Sequence, residues 1–254
     1  RQDNLSDNYF RQYLLITKVV LIVLFILMII SLFPTISLYI FLVLSAFHFG
    51  ETDLPILPVS SSFIAILLQI SYGLMVLCLI LFLNLAEVLP ILDQIHIFSP
   101  SLIGFLKLSS ASTYVFVGAS LFFLITVIAF WITQPSSAAT FKRMAILLSV
   151  VTVSSLTLTL PLSFAIYFGL WHSIISLENI RLHLSFSANA ELSWLKLLIK
   201  CIPFSLFSFV GIFFLIYFFD LNKNIDLFLM GLFIGISILT FPHQEVMSKM
   251  YFQV

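Results

Sequence analysis

Long runs of apolar residues, each close to the length of a membrane-crossing helix, alternate with short polar stretches along this chain. A helix needs about 20 apolar residues to cross the hydrocarbon core of a bilayer. The runs that meet this length are predicted as full spans, and they cover residues 13–33, 61–83, 111–133, 195–219 and 225–241.

Three stretches depart from this pattern. The apolar run at residues 36–49 is short, at roughly 21 Å as a helix, so it is either sheltered by neighbours or continues through the polar Glu51 and Asp53. Residues 84–110 mix charges with prolines, which predicts a loop containing an amphipathic piece at the membrane interface. Residues 178–193 are predicted to form a polar loop.

The ambiguous stretch is residues 141–177, which is too long for one crossing of a hydrocarbon core about 30 Å thick. Pro161 lies near its middle, and the residue before a proline disfavours the helical conformation. Either one kinked, tilted helix runs through this stretch, or two short spans meet at Leu160 and Pro161.

Composition supports a membrane location, because 61% of the residues are hydrophobic and only 9% are charged. Soluble domains carry about 25% charged residues. The formal net charge is zero, so the chain has no strong electrostatic attraction to nucleic acid. We expect a single integral membrane domain over residues 1–254. The chain begins with Arg1 rather than methionine, which leaves room for upstream residues.

The basic residues distinguish between the two readings of residues 141–177. If Pro161 separates two crossings, the chain has eight spans, and nine Lys and Arg residues lie on the side of the N-terminus against two opposite. A single crossing makes the division six against five. The positive-inside bias favours the first arrangement. We therefore predict an all-α bundle of about eight spans in the cell (inner) membrane, with a cytoplasmic N-terminus.

Three of the five histidines, His48, His172 and His243, lie at predicted helix ends. The eight-span arrangement brings all three to one side of the membrane at similar depth, whereas a single crossing separates His48 from His243. Neutral imidazole is the commonest metal ligand, so three converging rings suggest a metal ion. Each histidine taken alone has a simpler reading as a partner of a neighbouring helix or of lipid headgroups.

Two other histidines are predicted to lie outside such a site. His183 follows His172 by eleven residues, which is about 16 Å along a helix. His96 falls in the loop on the opposite side of the membrane. The carboxylates of Glu51 and Asp53 follow His48 closely. They either orient an imidazole by hydrogen bonding or form a polar helix end at the headgroups.

The strings SAFHFGETD at residues 45–53, YFGLWHS at 167–173 and FPH at 241–243 resemble the bacteriorhodopsin-related protein/β-carotene 15,15′-dioxygenase family. The resemblance implies a multispanning enzyme that cleaves β-carotene centrally with O₂ to give retinal. It implies Fe(II) bound by His48, His172 and His243. Glu51 and Asp53 would then be the carboxylates that hydrogen-bond to these imidazoles and orient them. The aromatic residues Tyr167, Phe168 and Trp171 are candidates to line the carotenoid and cofactor site.

The chain departs from the family pattern in two places. The family carries an earlier Pro-His-Gly motif that supplies a histidine, and no residues before His48 match it. The family also has a histidine four residues after the one matched by His172, where this chain has Ser176. Three histidines are enough to hold Fe(II) with open positions, as the triad of two histidines and one carboxylate does. Glu51, Glu178 and Glu245 are candidates to add a carboxylate.

These departures leave a second hypothesis open. The chain would then be a non-enzymatic member of the family that binds pigment or lipid, with another membrane protein as its partner. A transporter ranks lower, because paired inverted repeats with broken helices are not visible in the sequence. The enzyme hypothesis predicts a carotenoid, O₂ and the lipid bilayer as partners.

Overall fold

The computed structural model describes residues 32–54, 63–94, 110–134, 138–187 and 191–219, with single residues inside 17–29, 104–108 and 225–240. The regular elements within these residues are all helical, which confirms the all-α class. In chain order they are α1 (Pro34–Asp53), α2 (Phe63–Leu83), α3 (Leu85–Gln94), α4 (Ala111–Thr133), α5 (Ala138–Thr157), α6 (Leu160–Ala165), a π-helical segment (Ile166–His172), α7 (Ser173–Ser187) and α8 (Trp194–Phe219).

Four of the described helices are long and apolar enough to cross a membrane: α2, α4, α5 and the continuous helix Leu160–Phe186. A fifth is α8, whose halves meet at 41°. Pro203 lies at this bend. A proline removes a helical hydrogen bond and its ring clashes with the preceding turn, so it bends the helix. The chain is therefore a helical membrane protein. Most of the predicted first and last spans lie outside the described residues, so the count of about eight stays a prediction.

The structure divides residues 141–177 near Pro161, as the sequence predicts. Helix α5 ends at Thr157, and α6 begins at Leu160 with the proline in its first turn. The backbone N–H of Leu160 has no carbonyl partner within its own helix and donates instead to Glu87 Oε2 of α3, at 3.0 Å. A carboxylate at a helix N-terminus is favourable. Two separate helices therefore run through this stretch, each long enough to cross a membrane.

The polar loop predicted at residues 178–193 is largely wrong, because α7 stays helical to Ser187. Glu178 and Arg181, one turn apart, form a bidentate ion pair with N···O distances of 2.6 and 2.8 Å. Arg181 also donates to the carbonyl of Leu192, at 3.1 Å, and its guanidinium lies 5.8 Å from the ring centre of Trp194. These contacts give Glu178 and Arg181 polar partners within α7 and in the segment that follows it.

Helix α1 extends past the predicted end at residue 49 and includes Glu51, Thr52 and Asp53. At 20 residues it is about 30 Å long. Of the two alternatives for this run, the structure therefore supports the helix that continues through Glu51 and Asp53. Glu51, Thr52 and Asp53 are all buried, the last two completely. The polar end of α1 thus lies inside the bundle rather than among lipid headgroups.

Helix α2 is the centre of the described bundle, since α1, α4 and α5 all pack against it. Leu68, Tyr72 and Val76, spaced by one turn, are completely buried on one face. Ser71 adds a polar contact to α4, with its hydroxyl 2.6 Å from that of Thr126. Because α1, α4 and α5 all pack on α2, this helix determines where their side chains meet.

The crossing of α1 and α2 depends on two glycines that leave room for backbone. A Cβ added at Gly50 would overlap the backbone of Gln69, and one added at Gly73 would overlap the carbonyl of Ala46. Small residues at such positions let membrane helices approach closely. Since Ala46 and Gly50 flank His48, this close approach directs the polar end of α1 into the bundle.

We predict that Gly73→Ala and Gly50→Ala each destabilise the protein by about 1–3 kcal/mol, the usual cost of overpacking a tight interior. Thermal unfolding in detergent measures the effect as a lowered Tm. Gly118→Ala is the matched control, because no atom lies within 4 Å of its added Cβ on α4. Equal Tm values for all three variants would contradict this account of the crossing.

Candidate metal centre

Asp53, the last residue of α1, is the most enclosed charged side chain of the site, with 0% exposure. Its Oδ2 accepts two hydrogen bonds, from Tyr72 Oη of α2 at 3.1 Å and from Tyr167 Oη of the π-helical segment at 2.9 Å. Both tyrosines are as buried as the carboxylate. A carboxylate in an apolar interior requires such donors, so Asp53 joins three helical elements at one point.

His48 and His172 lie side by side, and His172 lies next to this carboxylate. Their ring centroids are 5.2 Å apart, in an edge-to-face arrangement, and they are only 1% and 7% exposed. The sequence predicts histidines at helix ends near the membrane edge. The structure instead places His172 near the middle of the 27-residue helix Leu160–Phe186. His48 lies level with the middle of α2, since its neighbours Ala46 and Gly50 contact Gly73 and Gln69.

The π-helical segment explains how Tyr167 and His172 both reach Asp53. The two residues are five positions apart, which on an α-helix would turn their side chains about 140° away from each other. A π-helix bonds residues five apart, and such segments often occur at functional sites. The backbone N–H of Ser173 accordingly reaches the carbonyl of Phe168. The wider turn brings the two rings to a centroid distance of 5.9 Å.

Two polar atoms of this site face each other without a hydrogen bond. His172 Nδ1 lies 3.7 Å from Asp53 Oδ1, which exceeds hydrogen-bonding distance. Both atoms are buried and have no other hydrogen-bond partner among the described residues. Buried polar atoms without a partner are uncommon, and each calls for an explanation such as a bound ion or a functional role.

The two imidazoles fit a shared metal ion as part of its ligand set. Rings that bind one ion have centroids roughly 4.5–5.5 Å apart, because metal–nitrogen distances are about 2.0–2.2 Å. The observed 5.2 Å lies within this range. No group of three or more His, Cys, Asp or Glu side chains is spaced to hold an ion within the described part of the chain. The third predicted ligand, His243, lies outside the described residues.

Aromatic rings pack against the histidine pair. Phe49 contacts His172 at a centroid distance of 5.3 Å and Phe168 at 5.0 Å. Phe168 stacks on Phe164 at 4.0 Å. These three phenylalanines help to line an apolar pocket of about 40 Å³, which has room for only a few water molecules. The pocket is a gap between side chains rather than a tunnel.

The residues predicted to line a ligand site have different surroundings. Tyr167 uses its hydroxyl to bind Asp53, Phe168 faces the apolar pocket, and Trp171 is half-buried. Glu51 is buried at 6% exposure. His183 lies on α7 well past the site, and His96 and Glu245 fall outside the described residues.

The sequence reasoning missed Tyr72 and the role of the π-helical segment. Tyr72 is the one tyrosine in the apolar run of α2, which is an ordinary occurrence in a membrane helix. The sequence did contain a signal for this position. Gln69, Ser71 and Gly73 surround Tyr72 and make this the most polar and least bulky part of α2. Ser176, where the family pattern has a histidine, is buried one turn after His172.

Comparison with protein families places these observations in context. The family model described as beta-carotene 15,15′-dioxygenase matches residues 7–251, nearly the whole chain. Searches of curated proteins and of solved structures found no match.

We predict that inserting one alanine after Gly169 lowers the affinity of the purified protein for Co(II), used as a metal probe, by about tenfold or more. The insertion places Tyr167 and His172 six residues apart, which on an α-helix turns their side chains about 120° away from each other. Gly169→Ala is the matched control, because its added Cβ meets open space. Calorimetric titration gives the affinities, and unchanged binding after the insertion would contradict the role assigned to the wider turn.

Proposed function

Because the chain belongs to the beta-carotene 15,15′-dioxygenase family, we propose that it cleaves β-carotene at the central double bond with O₂. The bond breaks and each half takes one oxygen atom, which gives two molecules of retinal. The observation that supports this most directly is the buried pair His48 and His172, with ring centroids 5.2 Å apart beside the enclosed carboxylate of Asp53.

In this proposal His48, His172 and His243 hold ferrous iron, as the family resemblance implies. Neutral imidazoles suit iron, and other positions remain available around an ion held by three protein ligands. Fe(II), when bound, supplies the redox chemistry that activates O₂. In the same proposal Asp53 and Glu51 orient the histidines, as carboxylates commonly do for metal-binding imidazoles.

The remaining side chains of the site exclude water and present apolar surface to a polyene. Phe49 and Phe168 cover His172, and large aromatic rings offer wide apolar contact. Exclusion of water protects reactive species from side reactions. Since the described pocket is small, a carotenoid would enter from the bilayer by displacing the phenylalanine side chains. We place the enzyme in the cell (inner) membrane with its N-terminus in the cytoplasm, on the charge asymmetry.

A second candidate is a non-enzymatic member of the family that binds pigment or lipid beside another membrane protein. The observation that favours it is Ser176, which is buried at 8% exposure and offers no imidazole to the site. A hydroxyl is a poor substitute for a neutral imidazole as a ligand of Fe(II). Iron content of the purified protein separates the two candidates, because only the enzyme requires the metal.

We predict that the protein bleaches β-carotene-producing cells and that the extracts contain retinal. His48→Ala and His172→Ala should each reduce retinal by more than about 100-fold, since each removes a proposed metal ligand. His183→Ala is the matched control, because its helix carries it about 16 Å past His172. Chromatography of the extracts measures the product.

Unchanged colour, together with no iron in the purified wild-type protein, would contradict the enzymatic function and support the second candidate. Retained activity in His172→Ala would contradict the site assignment.

A further inference from the structure

We propose that Asp53, held by the hydroxyl groups of Tyr72 and Tyr167, is a positioning residue that sets the tautomer of His172. In this arrangement His172 carries its proton on Nδ1, and Nε2 is the nitrogen that binds the cation. The binding step rests on the proposed function, whereas the tautomer is a property of the protein alone.

The two tyrosines fix the orientation of the carboxylate. Both hydroxyl groups donate to the same oxygen, Oδ2, at 3.1 and 2.9 Å. They come from different helical elements, α2 and the π-helical segment, so rotation of the carboxylate would break both bonds at once. This directs the other oxygen, Oδ1, toward His172 Nδ1.

The identity of the facing atoms determines the tautomer. If Nδ1 lacked a proton, its lone pair would face the carboxylate oxygen across 3.7 Å, and the two acceptors would repel each other. Neither atom has another hydrogen-bond partner among the described residues, and the low dielectric of the interior strengthens the effect. A proton on Nδ1 turns this repulsion into attraction.

The distance itself is compatible with this role. Functional hydrogen bonds are often long when no ligand is bound and shorten in the complex. A shift of less than 1 Å would bring the 3.7 Å separation into the hydrogen-bonding range of 2.7–3.2 Å. The alternative, in which Asp53 itself binds the cation, is less favoured because Oδ2 is already occupied by two phenolic donors.

A fixed tautomer matters for metal binding because partners behind a ligand set its orientation and raise its basicity. Loss of such a partner typically lowers metal affinity by about 10–100-fold. Asp53→Asn is expected to fall in this range, since the two tyrosines would hold the amide oxygen and leave the amide NH₂ facing Nδ1, which favours the opposite tautomer. Tyr72→Phe and Tyr167→Phe each remove one of the two donors and should cause smaller losses, with a larger loss in the double variant.

The first test uses ¹⁵N spectra of metal-free protein labelled at its histidine nitrogens, recorded at alkaline pH, with His172→Ala identifying the signal. The expected result is a proton on Nδ1 of His172 in the wild type and a shift of that proton toward Nε2 in Asp53→Asn. A proton on Nε2 in the wild type would overturn the proposal.

The second test measures Co(II) affinity of the same variants by calorimetric titration, with the Tm of each metal-free protein as a control for folding. Tyr114→Phe is the matched control, because Tyr114 is 68% exposed on α4. Wild-type affinity in Asp53→Asn would overturn the positioning role while leaving the proposed function intact. Absence of binding in the wild type would instead overturn the metal site and the proposed function, even with the proton on Nδ1.

Discussion

A buried carboxylate is the constraint on which the described structure depends. Asp53 is fully removed from solvent in an interior made mostly of Leu, Ile and Phe. Leaving such a charge without hydrogen-bond donors is strongly unfavourable. The bundle meets this requirement with two tyrosine hydroxyl groups from two separate elements. The positions of α1, α2 and the π-helical segment are thus tied to one side chain.

Two backbone features make this meeting possible. At Gly50 and Gly73 the backbones of α1 and α2 are in direct contact, with no side chain between them. This close approach brings the polar end of α1 to the level of Tyr72. The wider turn at residues 166–172 then aligns Tyr167 with His172. Neither feature contributes a chemical group to the site. Each one places groups that would otherwise point into lipid or away from one another.

The sequence was most informative where the physics is local. Apolar run length predicted α2 and α4 to within two residues of their ends, because span length depends only on membrane thickness. Pro161 predicted the break before α6, because the proline ring acts on its immediate neighbours. Charge asymmetry favoured two crossings there, and the structure has two separate helices in this stretch, each long enough to cross a membrane.

The errors arose where non-local contacts decide the outcome. The polar residues after Glu178 looked like a loop, yet α7 continues to Ser187, and Arg181 bonds the carbonyl of Leu192 beyond the end of the helix. The burial depth of His172 depends on the neighbours of a long helix rather than on its own sequence. Tyr72 gained its role through a carboxylate nineteen residues earlier in the chain, which no periodic pattern reveals.

X-ray absorption at the iron edge of the purified, Fe(II)-loaded protein tests the central claim most directly. A site built on His48 and His172 predicts at least two nitrogen neighbours at about 2.0–2.2 Å, with the outer scattering that imidazole rings produce. A spectrum with oxygen neighbours only, or a protein that retains no iron, would contradict the claim that these two histidines share one ion.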